Sequence, residues 1–347
     1  LARRLLNRDP NNPKYVMELS YTLSNLGALE HFVPVPDTDR ALLLMQASVQ
    51  YNQMALVLDP GNAEYRETLP EALAWLTDTW KMKCSLGEAL ETQQQTVQLR
   101  RELVQESPDS ADYQLRLAFM LSGLGNLQAQ IGLNEEARAS YMESVDLLED
   151  LHLAEPENDW IEWQMLVRTS RLAYHLFGMG EVDRAEKIIA PLGTRFAELI
   201  GVSNDADLKR IVDAVRFELD QARIRIGAGD VAEGREAIMQ SLKRMEDLVR
   251  EKPEARETVD LLAWATFYYW EQFGEKPDTA LPLIPAGFLP APSGIESCRS
   301  ADLGARFALA RGEKVQARQY VDYALSKGYF EPNFINFCRR YGLCEGP

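Results

Sequence analysis

The stretch PDSADYQLRLAFMLSGLGNLQAQIGLNEEARASYMESVDLLEDLHLAEP, residues 108–156, contains two amphipathic helices and the punctuation around them. Pro108 opens it, and Asp109 or Ser110 can cap the first helix. Tyr113, Leu117, Met120, Leu121 and Leu124 recur three and four residues apart, the mark of a helix with one buried face. Gly132 ends that helix and Asn134 begins the next. Ala137, Tyr141, Val145, Leu148 and Leu151 form a second apolar stripe, which Glu155-Pro156 stops.

This unit repeats. A small residue recurs at Ala41, Ala89, Ala137, Ala185 and Gly234, with gaps of 48, 48, 48 and 49. Nineteen residues after each stands Pro60, Pro108, Pro156 or Pro253, with Asn204 in place of proline once. A fixed period of this kind marks a stack of helical hairpins. A second small column, Gly27, Thr77, Gly125, Ala173 and Ala222, lies on the first helices. Antiparallel helices approach to about 8–10 Å only where side chains permit it, so the two columns should let each hairpin close.

The unit resembles the tetratricopeptide repeat. Leu124-Gly125 falls twelve residues before Ala137, and Gly132-Leu-Asn-Glu-Glu-Ala137-Arg-Ala-Ser-Tyr141 is similar to that family's inter-helix turn and second helix. Asn25-Leu26-Gly27 and Gly180-Glu-Val-Asp-Arg-Ala185 repeat the likeness. The family period is about 34 residues. The excess here divides into about two turns per helix, which keeps both stripes facing inward. The resemblance implies an all-α, right-handed superhelical solenoid of antiparallel hairpins.

The expected organisation is residues 1–10 as the end of a truncated upstream helix, then five extended repeats over 11–253. An irregular sixth repeat with a Pro-rich loop spans 254–300, and a final short repeat and capping helix span 301–347. Two extra residues enter the first inter-helix turn, within His31-Phe-Val-Pro-Val-Pro36. Pro277, Pro282, Pro285, Pro290 and Pro292 forbid a helix of normal length in the sixth unit. Leu1 to Pro10 matches the end of a second helix, so the chain reads as the C-terminal portion of a longer protein. Asp9 to Asn12 and Glu18 to Gly27 resemble the opening of bacterial arrays that follow a kinase, DNA-binding or other effector domain.

Net charge is −16, which argues against nucleic acid, whose phosphates require a lysine and arginine excess, and fits a basic or neutral partner. The exposed-looking run Asp146 to Glu162 is either a solvated face or a landing site for a basic partner. The longest apolar run, Leu261 to Trp270, is too short to span a bilayer, and no secretory leader opens the sequence. Cys84, Cys298, Cys338 and Cys344 are too few for a disulfide framework. They read as reduced, half-buried thiols in a cytoplasmic protein, with a pairing or metal role for Cys338 and Cys344 as the alternative.

His31, His152 and His175 lie in different units without ligand spacing, and no phosphate loop, nucleophile elbow or kinase signature is present. No enzyme, cofactor or metal is expected. In tetratricopeptide arrays the first helices line the concave groove. Transferring that register places Ser24, Asn25 and Ala28, then Trp75, Asp78 and Lys81, then Ser122 and Asn126, then Arg171 and Tyr174, then Asp220 and Arg223 on the partner-binding face. The resemblance thus implies a non-catalytic module binding a protein or peptide within a larger regulatory protein. The alternative is a ligand-sensing or autoinhibitory domain acting on an N-terminal effector. The aromatic cluster Trp264 to Phe273 is either packing or a groove for a proline-rich segment.

Overall fold

The computed structural model describes residues 2–32, 37–201, 208–253, 255–275, 280–284 and 297–344. Among these residues the regular structure is helical, with no strand. The chain divides into two compact units, residues 1–128 with 296–298, and residues 129–295 with 299–347.

Unit 1 contains α1 (Ala2–Arg8), α2 (Pro13–Leu29), α3 (Thr38–Leu58), α4 (Ala63–Met82), α5 (Leu86–Glu106) and most of α6 (Ala111–Gln130). Each helix packs on the one before it, so the array is a stack of hairpins. The entry to each first helix is a recurrent device. Asn12 caps α2 at the Lys14 amide and Asn62 caps α4 at the Tyr65 amide, while Ser110 accepts from the Tyr113 amide. Each satisfies a donor that the helix start leaves open. Proline two positions earlier cannot continue the preceding helix because it has no amide to offer the ladder.

Unit 2 holds α7 (Asn134–Ala154), α8 (Asp159–Gly178), α9 (Val182–Ile189), α10 (Leu192–Gly201), α11 (Leu208–Ala228), α12 (Val231–Glu251) and α13 (Arg256–Phe273). After them come α14 (Cys298–Ala310), α15 (Lys314–Ser326) and α16 (Pro332–Arg340). The fourth repeat differs from the regular unit expected. Its second helix breaks at Ala190-Pro191 into α9 and α10. Pro70 by contrast sits inside α4 without ending it. Arg195 then clamps α10 to α8 with two hydrogen bonds to Glu162, at 2.5 and 2.6 Å.

Both small columns are buried in full. At Gly234 a methyl group would lie 2.9 Å from the Ala222 carbonyl oxygen, so small does face small there. At Gly27 the facing groups are Met45 and Leu44 instead, and the glycine makes room for the methionine. Gly132, Gly180, Gly229 and Gly312 end first helices at positive φ. Cys84 occupies the same place, 48 residues before Gly132, and takes φ of +53° with a side chain attached. A left-handed non-glycine residue costs about 1 kcal/mol or more.

The cysteines correct the sequence reading. Cys84 pairs with Cys298, and Cys338 with Cys344, with Cα atoms 5.2 and 5.4 Å apart. These separations lie in the range a disulfide spans. The first pair closes 214 residues of chain, a juxtaposition that no local pattern announces. The turn prolines Pro34 and Pro36, the Asn204 stand-in, and Pro277, Pro285, Pro290 and Pro292 lie outside the described residues. Pro282 falls in a short 3-10 turn, Leu281–Leu283.

Candidate functional site

The two units present their expected partner-facing residues differently. In unit 1, Asn25 and Asp78 are exposed, and Ser24, Trp75, Lys81 and Asn126 are half-buried. Ala28 is half-buried against the Met45–Leu76 core cluster. Ser122 is fully buried and offers a partner nothing. Lys81 bonds Asp78 at 2.8 Å. His31 meets the Trp75 ring edge-on at 5.5 Å and hydrogen-bonds Thr79 at 3.0 Å. Burial pushes its imidazole below the usual histidine range, so this contact is made by a neutral ring. Gly123 serves packing: the Gln93 amide passes over it to the Met120 carbonyl, 2.7 Å away, and a methyl group would obstruct that path.

In unit 2 the first helices α8, α11 and α13 lie side by side. On α8, Arg168, Arg171 and Tyr174 share a face by three-residue spacing. On α11, Asp213, Arg216, Asp220 and Arg223 do the same at three- and four-residue steps. On α13, Trp264, Tyr268 and Glu271 follow that rule. Arg223 joins the three helices. It donates to the Tyr174 hydroxyl at 2.9 Å, and its guanidinium lies 3.8 Å above the Tyr268 ring. The two tyrosine hydroxyls are 3.4 Å apart. Arg223 is buried, and its Nε has no hydrogen-bond partner among the described residues.

Asp220 and Tyr174 are deeply recessed yet keep some surface in contact with solvent. Burial pushes the Asp220 carboxyl up to about 7, although Arg223, Arg216, Arg171 and Arg299 all act to keep it charged. Burial also pushes Arg168 down to about 9, aided by the neighbouring Arg171 charge and opposed by Asp213. Arg216 is lowered by burial and then by Arg299 and Arg171. The wall is therefore a concentration of positive charge inside an acidic chain.

A segment from the end of the chain lies against these helices. The Phe330 amide donates to the Gln130 carbonyl at 2.5 Å, and the Asn336 side chain donates to the Gly178 carbonyl at 2.9 Å. Phe337 packs edge-on against Phe267 of α13, ring centres 5.6 Å apart, and Tyr341 stacks on Trp270. A methyl group at Gly178 would fall 3.1 Å from atoms of Pro332 and Asn333, so glycine there permits the close approach. Beneath it, Arg306 of α14 is sealed by Asp302 at 2.5 Å, the Asn333 carbonyl at 3.2 Å and the Phe337 ring at 4.4 Å. Sequence reading makes α16 a terminal cap. Within unit 2 it is packed across α8, α13 and α14, held by contacts up to 158 residues apart in the chain.

Arg171, Tyr174, Asp220 and Arg223 are thus brought together. The same period holds a signal for Arg168, Arg216 and Tyr268, which the transferred register does not include. Arg168 and Arg216 stand 48 residues apart, as do Asp220 and Tyr268. The aromatic cluster of α13 is mostly packing, since Phe267, Tyr268 and Tyr269 are buried. On the outside, Asp146, Glu149, Asp150, Glu155, Glu157 and Asp159 are exposed, while Glu162 is spent on Arg195. Glu155, Glu157, Asp159, Trp160 and Arg210 border an open depression there. Among the described residues no group of three or more donors is placed to hold a metal, and no helix is long and apolar enough to cross a membrane.

This is the architecture of a tetratricopeptide-repeat-like α-solenoid. No protein-family model matches the chain, and neither does any curated protein. Solved structures share the fold. BtubC (BKLC) from P. vanneervenii is 16% identical with a TM-score of 0.50, over 70% of this chain and 84% of that one. The Rap conjugation gene regulator of the plasmid pLS20, solved in complex with the Phr* peptide, is 11% identical with a TM-score of 0.53, over 92% of this chain and 75% of its own. A tetratricopeptide repeat protein from Parabacteroides merdae aligns over 94% of this chain and 97% of its own, at 16% identity and a TM-score of 0.44.

Proposed function

We propose that this chain is a non-catalytic module that binds a protein or peptide on the face shared by its first helices. One observation carries the reading. The wall already accommodates a helical segment, the chain's own α16, which packs on α8 and α13 through aromatic contacts and a hydrogen bond from the Asn336 side chain to the Gly178 carbonyl. A surface that seats one short segment has the chemistry to seat another, since aromatic and arginine side chains dominate binding hot spots. The Rap regulator, which shares the fold, was solved with a bound peptide, and that supports the same use of this scaffold.

A second reading, in which the module senses a ligand and restrains an effector in a larger protein, draws on the same segment. A groove lined with its own C-terminal helix is a device whose state a ligand can bias. A basic partner would meet the acidic stripe of α7, away from the arginine wall.

The test is selection of random twelve-residue peptides displayed on phage against the full chain, with counter-selection against Arg171→Glu. The reading expects enriched peptides that compete with one another and bind the variant at least tenfold more weakly, with helicity unchanged by circular dichroism. Absence of any enriched peptide would remove it. Arg171→Glu is preferred to a Tyr174 truncation, because Tyr174 holds Arg223 and its loss would disturb the fold as well.

A further inference from the structure

The chain carries −16 overall, yet the wall of unit 2 has the opposite balance. The inner faces of α8 and α11 set four arginines, at 168, 171, 216 and 223, against two aspartates, at 213 and 220, and α13 adds Glu271, which acts on Arg223. Arg299 at the start of α14 adds a fifth cation that acts on both Asp220 and Arg216. Asp213 is 3.8 Å from Arg216 and offsets one charge. Asp220, its carboxyl pushed up to about 7 by burial, is only partly ionised at neutral pH and offsets part of a second. Positive charge gathered in a recess focuses its field on whatever enters.

The chain itself indicates what satisfies this field. Glu331, at the N-terminus of α16, accepts from the Phe334 amide at 2.8 Å and caps its own helix. The same carboxylate acts on Tyr141 of α7, Tyr174 of α8 and Asp302 of α14. Its charge acts on the α8 side of the recess, at Tyr174, while on α11 Arg216 has Asp213 beside it. Arg216 and Arg171 are half-exposed and Arg299 is exposed, so the mouth is open to a ligand. Arg223 lies deeper, 6% exposed, with an Nε that no described group accepts from.

Length distinguishes a peptide from a single ion. From Asp213 to Arg223 the charged line on α11 runs about 15 Å at 1.5 Å per residue. An extended chain covers that distance in four or five residues at about 3.3–3.6 Å each.

We propose that the recess bounded by Arg171, Arg216, Arg223 and Arg299 binds an acidic peptide segment, its carboxylates paired with these arginines. This rests on the peptide-binding reading above and reverses, for this face, the basic partner that net charge alone favours. Carboxylates meeting guanidinium forks form the strong, charge-assisted class of hydrogen bond. A basic segment would meet repulsion from every arginine at the mouth.

The experiment uses the full chain and the peptides recovered by phage selection, made synthetically with a fluorophore and titrated by anisotropy. The proposal expects the tightest binders to carry net negative charge and to lose at least tenfold in affinity when their acidic residues become Gln. Arg216→Glu should weaken them at least tenfold, and Arg216→Gln should weaken them less. Near-unity effects of both substitutions would overturn it. Selected peptides of net positive or neutral charge would overturn the acidic assignment while leaving peptide binding intact. Failure to select any peptide would instead remove the function on which the assignment depends. Thermal unfolding of both variants must match the parent, which Gln secures if the charge reversal does not.

Discussion

Unit 1 and unit 2 are built on one repeat, yet they treat their first-helix faces in opposite ways. Polar groups in unit 1 are satisfied by near neighbours. Lys81 bonds Asp78 on the same helix, and Gln93 reaches a backbone carbonyl on the adjoining one. In unit 2 the corresponding positions carry Arg171, Tyr174, Asp220 and Arg223, which meet one another across α8 and α11 and draw further on Tyr268 of α13 and Arg299 of α14. The repeat supplies a wall in both cases. What stands against that wall is decided by chain that lies outside the repeats.

The largest expected effect is at the buried ion pair that seats α16. Arg306→Ala would leave Asp302 without its partner in a sealed site and remove three aromatic contacts from the guanidinium. The cost should be about 3–5 kcal/mol, read as a fall in thermal midpoint. Converting both partners to apolar residues of similar size should recover most of it. A single variant as stable as the parent would break the contrast between a locally satisfied unit 1 and a long-range unit 2.

Asp220 gives a smaller effect with a definite sign. Its neighbours are Arg216 and Arg223 on α11, Arg171 on α8, Arg299 on α14 and Tyr268 on α13. An unfolded aspartate releases its proton near 3.9, whereas burial holds this one to about 7. Between those values the folded chain binds the proton that the unfolded chain has lost. The free energy of unfolding therefore falls as pH rises through that window. The difference is worth at most about 4 kcal/mol, and partial solvent contact reduces it to about 2. Asp220→Asn should change little at pH 4 and stabilise by about 2 kcal/mol at pH 8, checked by denaturant titration at both. Equal effects at the two pH values would show that the recess does not burden the carboxylate.

The smallest expected effect is in unit 1. Lys81→Ala breaks a half-exposed pair three residues apart, and such pairs contribute below about 0.5 kcal/mol. A loss above 1 kcal/mol in chemical denaturation would mean that the polar groups of the unit 1 face are bound into the fold as firmly as those of unit 2.

Much of the architecture was legible because the hydrophobic period is local chemistry repeated. Ala41, Ala89, Ala137, Ala185 and Gly234 are buried where the spacing puts them. The break at Pro191 was legible in principle, since proline inside a helical stripe removes a donor, although Pro70 shows that burial in a packed helix can tolerate one. Cys84 was legible only in hindsight. It stands in the glycine column, and its left-handed backbone accompanies a bond to Cys298.

The site was half legible. The register transferred from the tetratricopeptide resemblance named Arg171 with Tyr174 and Asp220 with Arg223, and the period aligned their helices. Ser122 shares that register yet is buried, because burial depends on what packs outside its own helix.

The amino-acid sequence alone determined the helical hairpins, their period and the small residues that let them close, because these depend on side chains a few positions apart. The tertiary structure decided the pairing of the cysteines, the seat of α16 and the protonation of Asp220. Each depends on groups from distant parts of the chain meeting where water is largely excluded. Charge and hydrogen bonding are strongest there, and sequence separation says nothing about who will be neighbours.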